Sequence, residues 1–166
     1  VDAHFYDTVS YLRKGDVLVW NNSKVFKARL KGKLLAKTNE ELWEHKRDVE
    51  VFLVRPQHND GVWRALAKPG KHITSGMRIE FAQDFYCDVM LKEETGTILV
   101  QCFDGMMNPM APEAVRAAAN TYGSIPIPPY VKDEPHQIES YQTVYASKQK
   151  EGSVAAPTAG FHFTPE

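Results

Sequence analysis

Lys24-Val25-Phe26-Lys27-Ala28-Arg29-Leu30-Lys31-Gly32-Lys33-Leu34 alternates with period two. In an extended chain successive side chains point to opposite faces. Val25, Lys27, Arg29, Lys31 and Lys33 then share one face. Phe26, Ala28, Leu30 and Leu34 share the other, with Gly32 between them. The reading is a strand with an apolar back and a cationic front. Downstream, Val49–Arg55, Val62–Ala67, Met77–Phe81, Phe85–Lys92 and Thr97–Phe103 are short β-branched or aromatic runs. Asn59-Asp60-Gly61, Lys68-Pro69-Gly70, Ser75-Gly76 and Glu94-Thr95-Gly96 supply turns between them. Strands at this spacing predict a small antiparallel barrel or sandwich. Thr38–Arg47 reads as one exposed helical excursion, capped by Thr38 or Asn39.

Outward from this block the texture changes on both sides. Asp7 caps a short helix through Arg13, stopped at Gly15, and Asp16-Val17-Leu18-Val19-Trp20 reads as a buried strand closed by Asn21-Asn22. After the barrel, Pro112–Tyr122 reads as a helix, with Pro near its start, an Ala-rich interior and Gly123 just past its end. Ile125-Pro126-Ile127-Pro128-Pro129-Tyr130 is an extended connector, since its prolines exclude helix and central strand. Ser140–Ala146 and the small-residue run Gly152–Gly160 follow. The fold class expected is an α/β core domain interrupted by an inserted antiparallel β-barrel domain. Residues 1–30 form the first part of the core, 31–111 the barrel, and 112–166 the second part.

The chain of 166 residues carries 43% apolar and 25% charged side chains, the balance of an ordinary globular protein. It starts at Val1, and Thr164-Pro165-Glu166 has the chemistry of a first helical turn, so it reads as a piece of a longer protein. No apolar run approaches the ~20 residues of a membrane span, and no secretory leader is visible. Cys87 and Cys102 make neither a disulfide framework nor a metal-ligand spacing, and both are expected to be buried free thiols. A cytoplasmic home follows as the expectation. No metal site is expected.

Net charge is -1, yet six bases (Lys24, Lys27, Arg29, Lys31, Lys33, Lys37) fall in fourteen positions without an acid. Such a face attracts a phosphate backbone; the plainer reading is an edge strand kept soluble by lysine. Gly152-Ser153-Val154-Ala155-Ala156-Pro157-Thr158-Ala159-Gly160-Phe161-His162-Phe163 offers close backbone approach for a carboxylate or phosphate, or simply a tight turn. His162 suits a general base or a packed aromatic neighbour. Tyr130, Tyr141 and Tyr145 suit base stacking or anchoring of the connector.

Three stretches together resemble one family, the S-adenosylmethionine:tRNA ribosyltransferase-isomerases of queuosine biosynthesis. They are Leu12–Leu30, then Ile125–Val131 followed by Ser140–Ala146, and lastly Gly152–Thr164, whose Ala-Ala-Pro-Thr-Ala-Gly and His-Phe string is distinctive. The resemblance implies an α/β domain interrupted by a barrel. It implies a transferase and isomerase that moves the ribosyl moiety of S-adenosylmethionine onto 7-aminomethyl-7-deazaguanine at the tRNA wobble position. Epoxyqueuosine-tRNA forms, and adenine and methionine leave. S-adenosylmethionine is then a substrate, no cofactor is required, and the partner is tRNA carrying the deazaguanine in its anticodon, bound by a monomer.

Carried over by position, the resemblance gives His162 as the proton-abstracting catalytic residue and Thr158 as the grip on the donor. It gives Asn21, Arg29, Tyr130, Tyr141, Gln142, Pro157, Ala159, Gly160 and Phe163 as substrate-binding. Lys24, Lys27, Lys31 and Lys33 are the tRNA-binding candidates from the basic strand. The chain departs from the family at Ser23-Lys24, where Thr-Arg is usual, and at the insertion-like Thr38–His45. The family's N-terminal strand region and C-terminal half are not in this stretch, so the stretch alone is expected to be inactive. A non-catalytic tRNA-binding barrel or an inactive relative is the alternative; binding of S-adenosylmethionine separates them.

Overall fold

The computed structural model describes residues 2–57, 60–128, 131 and 137–165. Six antiparallel strands close into a barrel: β2 (Arg29–Lys37), β3 (Trp43–Pro56), β4 (Val62–Lys68), β5 (Arg78–Ala82), β6 (Phe85–Lys92) and β7 (Ile98–Asp104). They run around it in the order β2-β3-β4-β7-β6-β5, and β5 pairs back with β2. Closure removes the unpaired edge that an open sheet would expose. Inside lie Leu30, Leu34, Val51, Leu53, Ala65, Ile79, Cys87, Val100 and Cys102, all fully buried. The expected alternation holds through β2, whose inward residues are Leu30 and Leu34. Gly32 sits between them because a Cβ there would stand 2.8 Å from both Ile79 and Phe81 and 2.9 Å from the Glu80 carbonyl oxygen.

Cys87 and Cys102 are register partners on β6 and β7, buried and free, as expected. Burial pushes both thiols up, Cys102 to about 12. On the outer wall Arg78 lies between the rings of Trp43 (4.5 Å) and Tyr86 (4.1 Å) and donates to both Asp88 carboxylate oxygens at 2.7 and 3.0 Å. That hydrogen-bonded pairing with Asp88 raises the Arg78 pKa further.

Outside the barrel, β1 (Lys24–Val25) pairs in parallel with β8 (Glu151–Ser153), and α2 (Pro112–Tyr122) packs Val115 and Ala119 against the barrel core. Gly123 ends α2 where expected, for a steric reason. A Cβ would lie 2.3 Å from the Lys27 carbonyl oxygen and 2.6 Å from that of Ala119. Four expectations change. Residues 24–34 are not one strand: the chain bends at Phe26–Ala28, where the Ala28 N–H donates to the Phe26 carbonyl at 2.8 Å. Val25 therefore leaves the cationic face and is buried with Ile125 and Tyr141 in a second apolar cluster.

Thr38–Arg47 is a hairpin rather than a helix. The Thr38 hydroxyl accepts from the Glu40 and Leu42 N–H groups at 3.3 Å each, and Glu41 adopts φ 61. A hydroxyl that would cap a helix here closes a turn. Asp16–Trp20 pairs with no strand among the described residues, and Val17 and Val19 are 86% exposed. The short N-terminal helix is a 3-10 turn (Phe5–Asp7) running into α1 (Thr8–Tyr11), which stops before Arg13. No described helix is long and apolar enough to cross a membrane.

Candidate functional site

The β1–β8 pair carries the site. Its two strands come from opposite ends of the chain, and β1 is held on by Gln142, whose amide Nε2 donates to the Val25 carbonyl at 2.8 Å. The Gln142 Oε1 accepts from the Val25 N–H at 2.9 Å. Gln142 thus completes the backbone pairing of β1 in the manner of a neighbouring strand. Asn21, exposed, accepts the Ser23 N–H at 2.9 Å in a side-chain turn, and the Asn22 carbonyl accepts from the Ser147 N–H at 2.9 Å. The loop before β1 is thereby tied to the segment after Gln142.

Beyond β8, a 3-10 turn over Thr158–His162 presents Thr158, Ala159 and His162 to solvent and buries Gly160. Gly160 is required by space. A Cβ would stand 2.2 Å from the Tyr145 hydroxyl and 2.6 Å from Thr143 Cγ2. An aromatic run follows the turn. Tyr145 meets Trp20 at 5.9 Å and Phe163 at 5.5 Å; Phe163 meets Phe5 at 4.7 Å; Phe5 stacks on His162 at 5.4 Å. Tyr141, buried, meets Phe161 at 5.7 Å. His162 is therefore an exposed imidazole on an aromatic support, not a core residue. Pro157 is half-buried at the start of the turn. Tyr130 lies outside the described residues.

Arg29 stands apart from this turn, at the seam between barrel and connector. Its Nη2 donates to the Ile127 carbonyl at 3.0 Å, and its Nε lies 3.8 Å from Glu50 Oε1. That Nε is buried and has no hydrogen-bond partner among the described residues. Arg29, Lys31, Glu50, Tyr122, Ser124 and Ile127 are among the residues lining a cleft of about 340 Å³. Ser124 and Arg29 are linked as an antiparallel bridge, the Ser124 N–H donating to the Arg29 carbonyl at 2.8 Å.

The basic strand is less cationic in the fold than along the chain. Register sets Lys31 opposite Glu50, and Lys33 between Asp48 and Glu80. Opposite charges at such positions stabilise the sheet and dilute the field outside it. Lys24 lies 3.8 Å from Glu151, and the Lys27 N–H donates to Asn120 Oδ1 at 2.9 Å. Lys24 and Lys27 line a cleft of about 390 Å³ with Asn120, Glu139 and Glu151, away from Lys33.

The fold thus brings Pro157, Thr158, Ala159, Gly160, His162 and Phe163 together, with Tyr141 and Gln142 behind them and Asn21 on the adjoining loop. Arg29 with Lys31 forms a separate cationic locus. Reading along the chain missed Phe5, Trp20, Glu50 and Ser124. Only the aromatic character of the first two was a usable signal. No group of three or more His, Cys, Asp or Glu among the described residues could hold a metal ion.

The profile of the family described as "Queuosine biosynthesis protein" matches residues 1–166. The S-adenosylmethionine:tRNA ribosyltransferase-isomerase of Sulfurihydrogenibium sp. (strain YO3AOP1) is 38% identical over 98% of this chain and 43% of its own length. That of Solibacter usitatus (strain Ellin6076) is 41% identical over 99% of this chain and 47% of its own. The chain thus spans less than half the length of these curated relatives. A crystal structure of the S-adenosylmethionine tRNA ribosyltransferase from Thermotoga maritima is similar at 23% identity and a TM-score of 0.41, covering 75% of this chain and 38% of that one.

Proposed function

The chain belongs to the queuosine biosynthesis protein family, and on that premise we propose that it is part of an S-adenosylmethionine:tRNA ribosyltransferase-isomerase. The parent enzyme moves the ribosyl moiety of S-adenosylmethionine onto 7-aminomethyl-7-deazaguanine at the tRNA wobble position. It works as a cytoplasmic monomer, with S-adenosylmethionine as substrate and no cofactor. The β1–β8 pair and α2 belong to an α/β core domain interrupted by the barrel, with divisions near residues 30 and 111.

The observation that carries this reading is the Thr158–His162 turn. It sets exposed His162 and exposed Thr158 and Ala159 beside a run of aromatic rings. A sulfonium acidifies its neighbouring C–H, so a base placed there starts the reaction. His162 accepts that proton, and the electron pair left on C5′ opens the C4′–O4′ bond. The freed ring oxygen becomes a C1′ aldehyde as the glycosidic bond breaks and adenine departs, taking up a proton. The aminomethyl nitrogen of the nucleobase then adds to C4′ of the vinyl sulfonium and loses a proton. The C5′ carbanion so formed closes on C1′, and the C1′ oxygen displaces methionine from C5′ as the epoxide closes. Thr158 and the following backbone orient the donor. Phe163 and the exposed rings beside it supply faces for adenine or for the unstacked wobble base, with Tyr141 buried behind them. Lys24, Lys27, Lys31 and Lys33 contact the tRNA backbone, and the acids across the strands confine that contact to a particular register rather than a general basic surface.

The test is His162→Ala in the full-length parent, followed by adenine release from S-adenosylmethionine in the presence of tRNA bearing the deazaguanine. Release should fall by at least about 100-fold, the scale of a lost general base, with tRNA affinity unchanged. Retained release would remove His162 from the mechanism.

A further inference from the structure

Three of the five methionines, Met106, Met107 and Met110, fall within five positions of the turn after β7, and the mechanism above uses none of them. Met106 is 78% exposed and Met107 71%. Hydrogen bonds fix the turn that displays them. Asp104 Oδ1 accepts from the Met106 N–H at 2.9 Å and the Asn108 N–H at 2.8 Å, and the Asp104 N–H donates to the Asn108 carbonyl at 3.0 Å. Met107 is held at φ 65, a left-handed conformation that is costly for a residue with a side chain. The fold therefore carries backbone strain where it holds two apolar side chains in water. Beside the turn lies a cleft of about 550 Å³, lined by Met106 and Met110 and by Ala117, Ala118 and Thr121 of α2. Among the described residues its only charged lining groups are Asp84 and Asp104.

These walls select an occupant. The barrel beside the cleft is closed, so it offers an extended peptide no free strand edge. Ala117, Ala118 and Thr121 are small and share one face of α2, which lets a second helix lie close along it. Methionine side chains adapt to the apolar ridge of such a helix. The two aspartates favour Lys or Arg flanking that ridge, and they repel both RNA phosphates and the same anionic rim on a second copy of this chain. We propose that the cleft between the Met106–Met110 turn and α2 docks an amphipathic helix of a partner protein, one whose apolar ridge is flanked by basic residues. Docking here engages no residue of the Thr158–His162 turn, so it does not depend on the transfer reaction.

The experiment is fluorescence anisotropy on the full-length parent with two labelled helical peptides of about 14 residues, ~21 Å long. Both carry a leucine ridge, flanked by lysine in one and by glutamate in the other. The lysine peptide should bind, and the glutamate peptide should bind at least about tenfold more weakly. Met106→Ser and Ala117→Arg, both at exposed positions, should each weaken the lysine peptide by about tenfold, the scale of one lost anchor or one added like charge. A lysine peptide that fails to bind, or binds equally to both variants, would overturn the site. Mild peroxide oxidation, which converts an exposed thioether to its sulfoxide, gives a second readout. Met106 and Met107 of the parent alone should oxidise as fast as free methionine, and the lysine peptide should protect Met106. Slow oxidation in the parent alone at every concentration would mean that its own chain covers the cleft. Slow oxidation relieved by dilution would mean that a second copy does. Either result would overturn the proposal.

Discussion

Replacing Gln142 by Ala probes the joint on which the site is built. Its amide makes two bonds to Val25, at 2.8 and 2.9 Å, and the Val25 residue is fully buried. Truncation strands one N–H and one C=O in a part-buried setting. Each such group costs about 1–3 kcal/mol when left without a partner; partial access of water puts the sum near ~2–3 kcal/mol. The cost falls on the β1–β8 pair, because the barrel strands close on one another without Gln142. Native-state hydrogen exchange resolves this. The Phe26 amide, bonded to the Ser153 carbonyl at 3.2 Å, should exchange about 30- to 150-fold faster, the equivalent of that loss. The Cys102 amide, bonded to the Gly61 carbonyl at 2.9 Å, should not change. A Phe26 effect below about threefold would refute the view that Gln142 acts as a surrogate strand, since even one stranded group exceeds it.

Gly123→Ala should be worse, because the new Cβ meets the backbone oxygens of Lys27, Ala119 and Arg29 and none can yield. Denaturant unfolding should show a loss of about 3 kcal/mol, the upper end of overpacking costs. The buried thiols set an alkaline limit. Cys102 ionises near 12 in the fold against about 8.5 when unfolded. Its stabilisation is therefore complete below about pH 8.5 and is lost progressively as pH climbs toward 12. Cys102→Ala should flatten the fall of Tm with pH over that window, and unchanged curvature would count against this burial. Lys24→Gln and Lys33→Gln should each reduce the slope of log affinity for tRNA against log salt by about 0.7–0.9 if each neutralises a phosphate. Filter binding across a salt series measures it.

The barrel was legible because its information is local. Period-two alternation in β2 and turn residues between the later strands determine which side chains point inward. Pro112–Tyr122 was legible for the same reason, through Pro at one end and Gly at the other. What failed depended on partners. Asp16–Trp20 has the composition of a buried strand, but a strand is defined by what it pairs with. Thr38 has the chemistry of a helix cap, and the same hydroxyl serves a hairpin turn equally well. The candidate site divides likewise. Its Gly160 and His162 stand in a continuous string, whereas the Gln142–Val25 clamp joins residues 117 positions apart. The acids facing Lys31 and Lys33 come from β3 and β5, so the charge balance of that face could not be read from β2 alone.

The most direct test of the account is transfer of label from ribosyl-labelled S-adenosylmethionine into tRNA by the full-length parent. The tRNA would carry either the deazaguanine or guanine at the wobble position. The account predicts label in the deazaguanine tRNA alone, with one adenine and one methionine released per ribosyl group transferred. A folded parent that binds both S-adenosylmethionine and the modified tRNA yet transfers no label would contradict it.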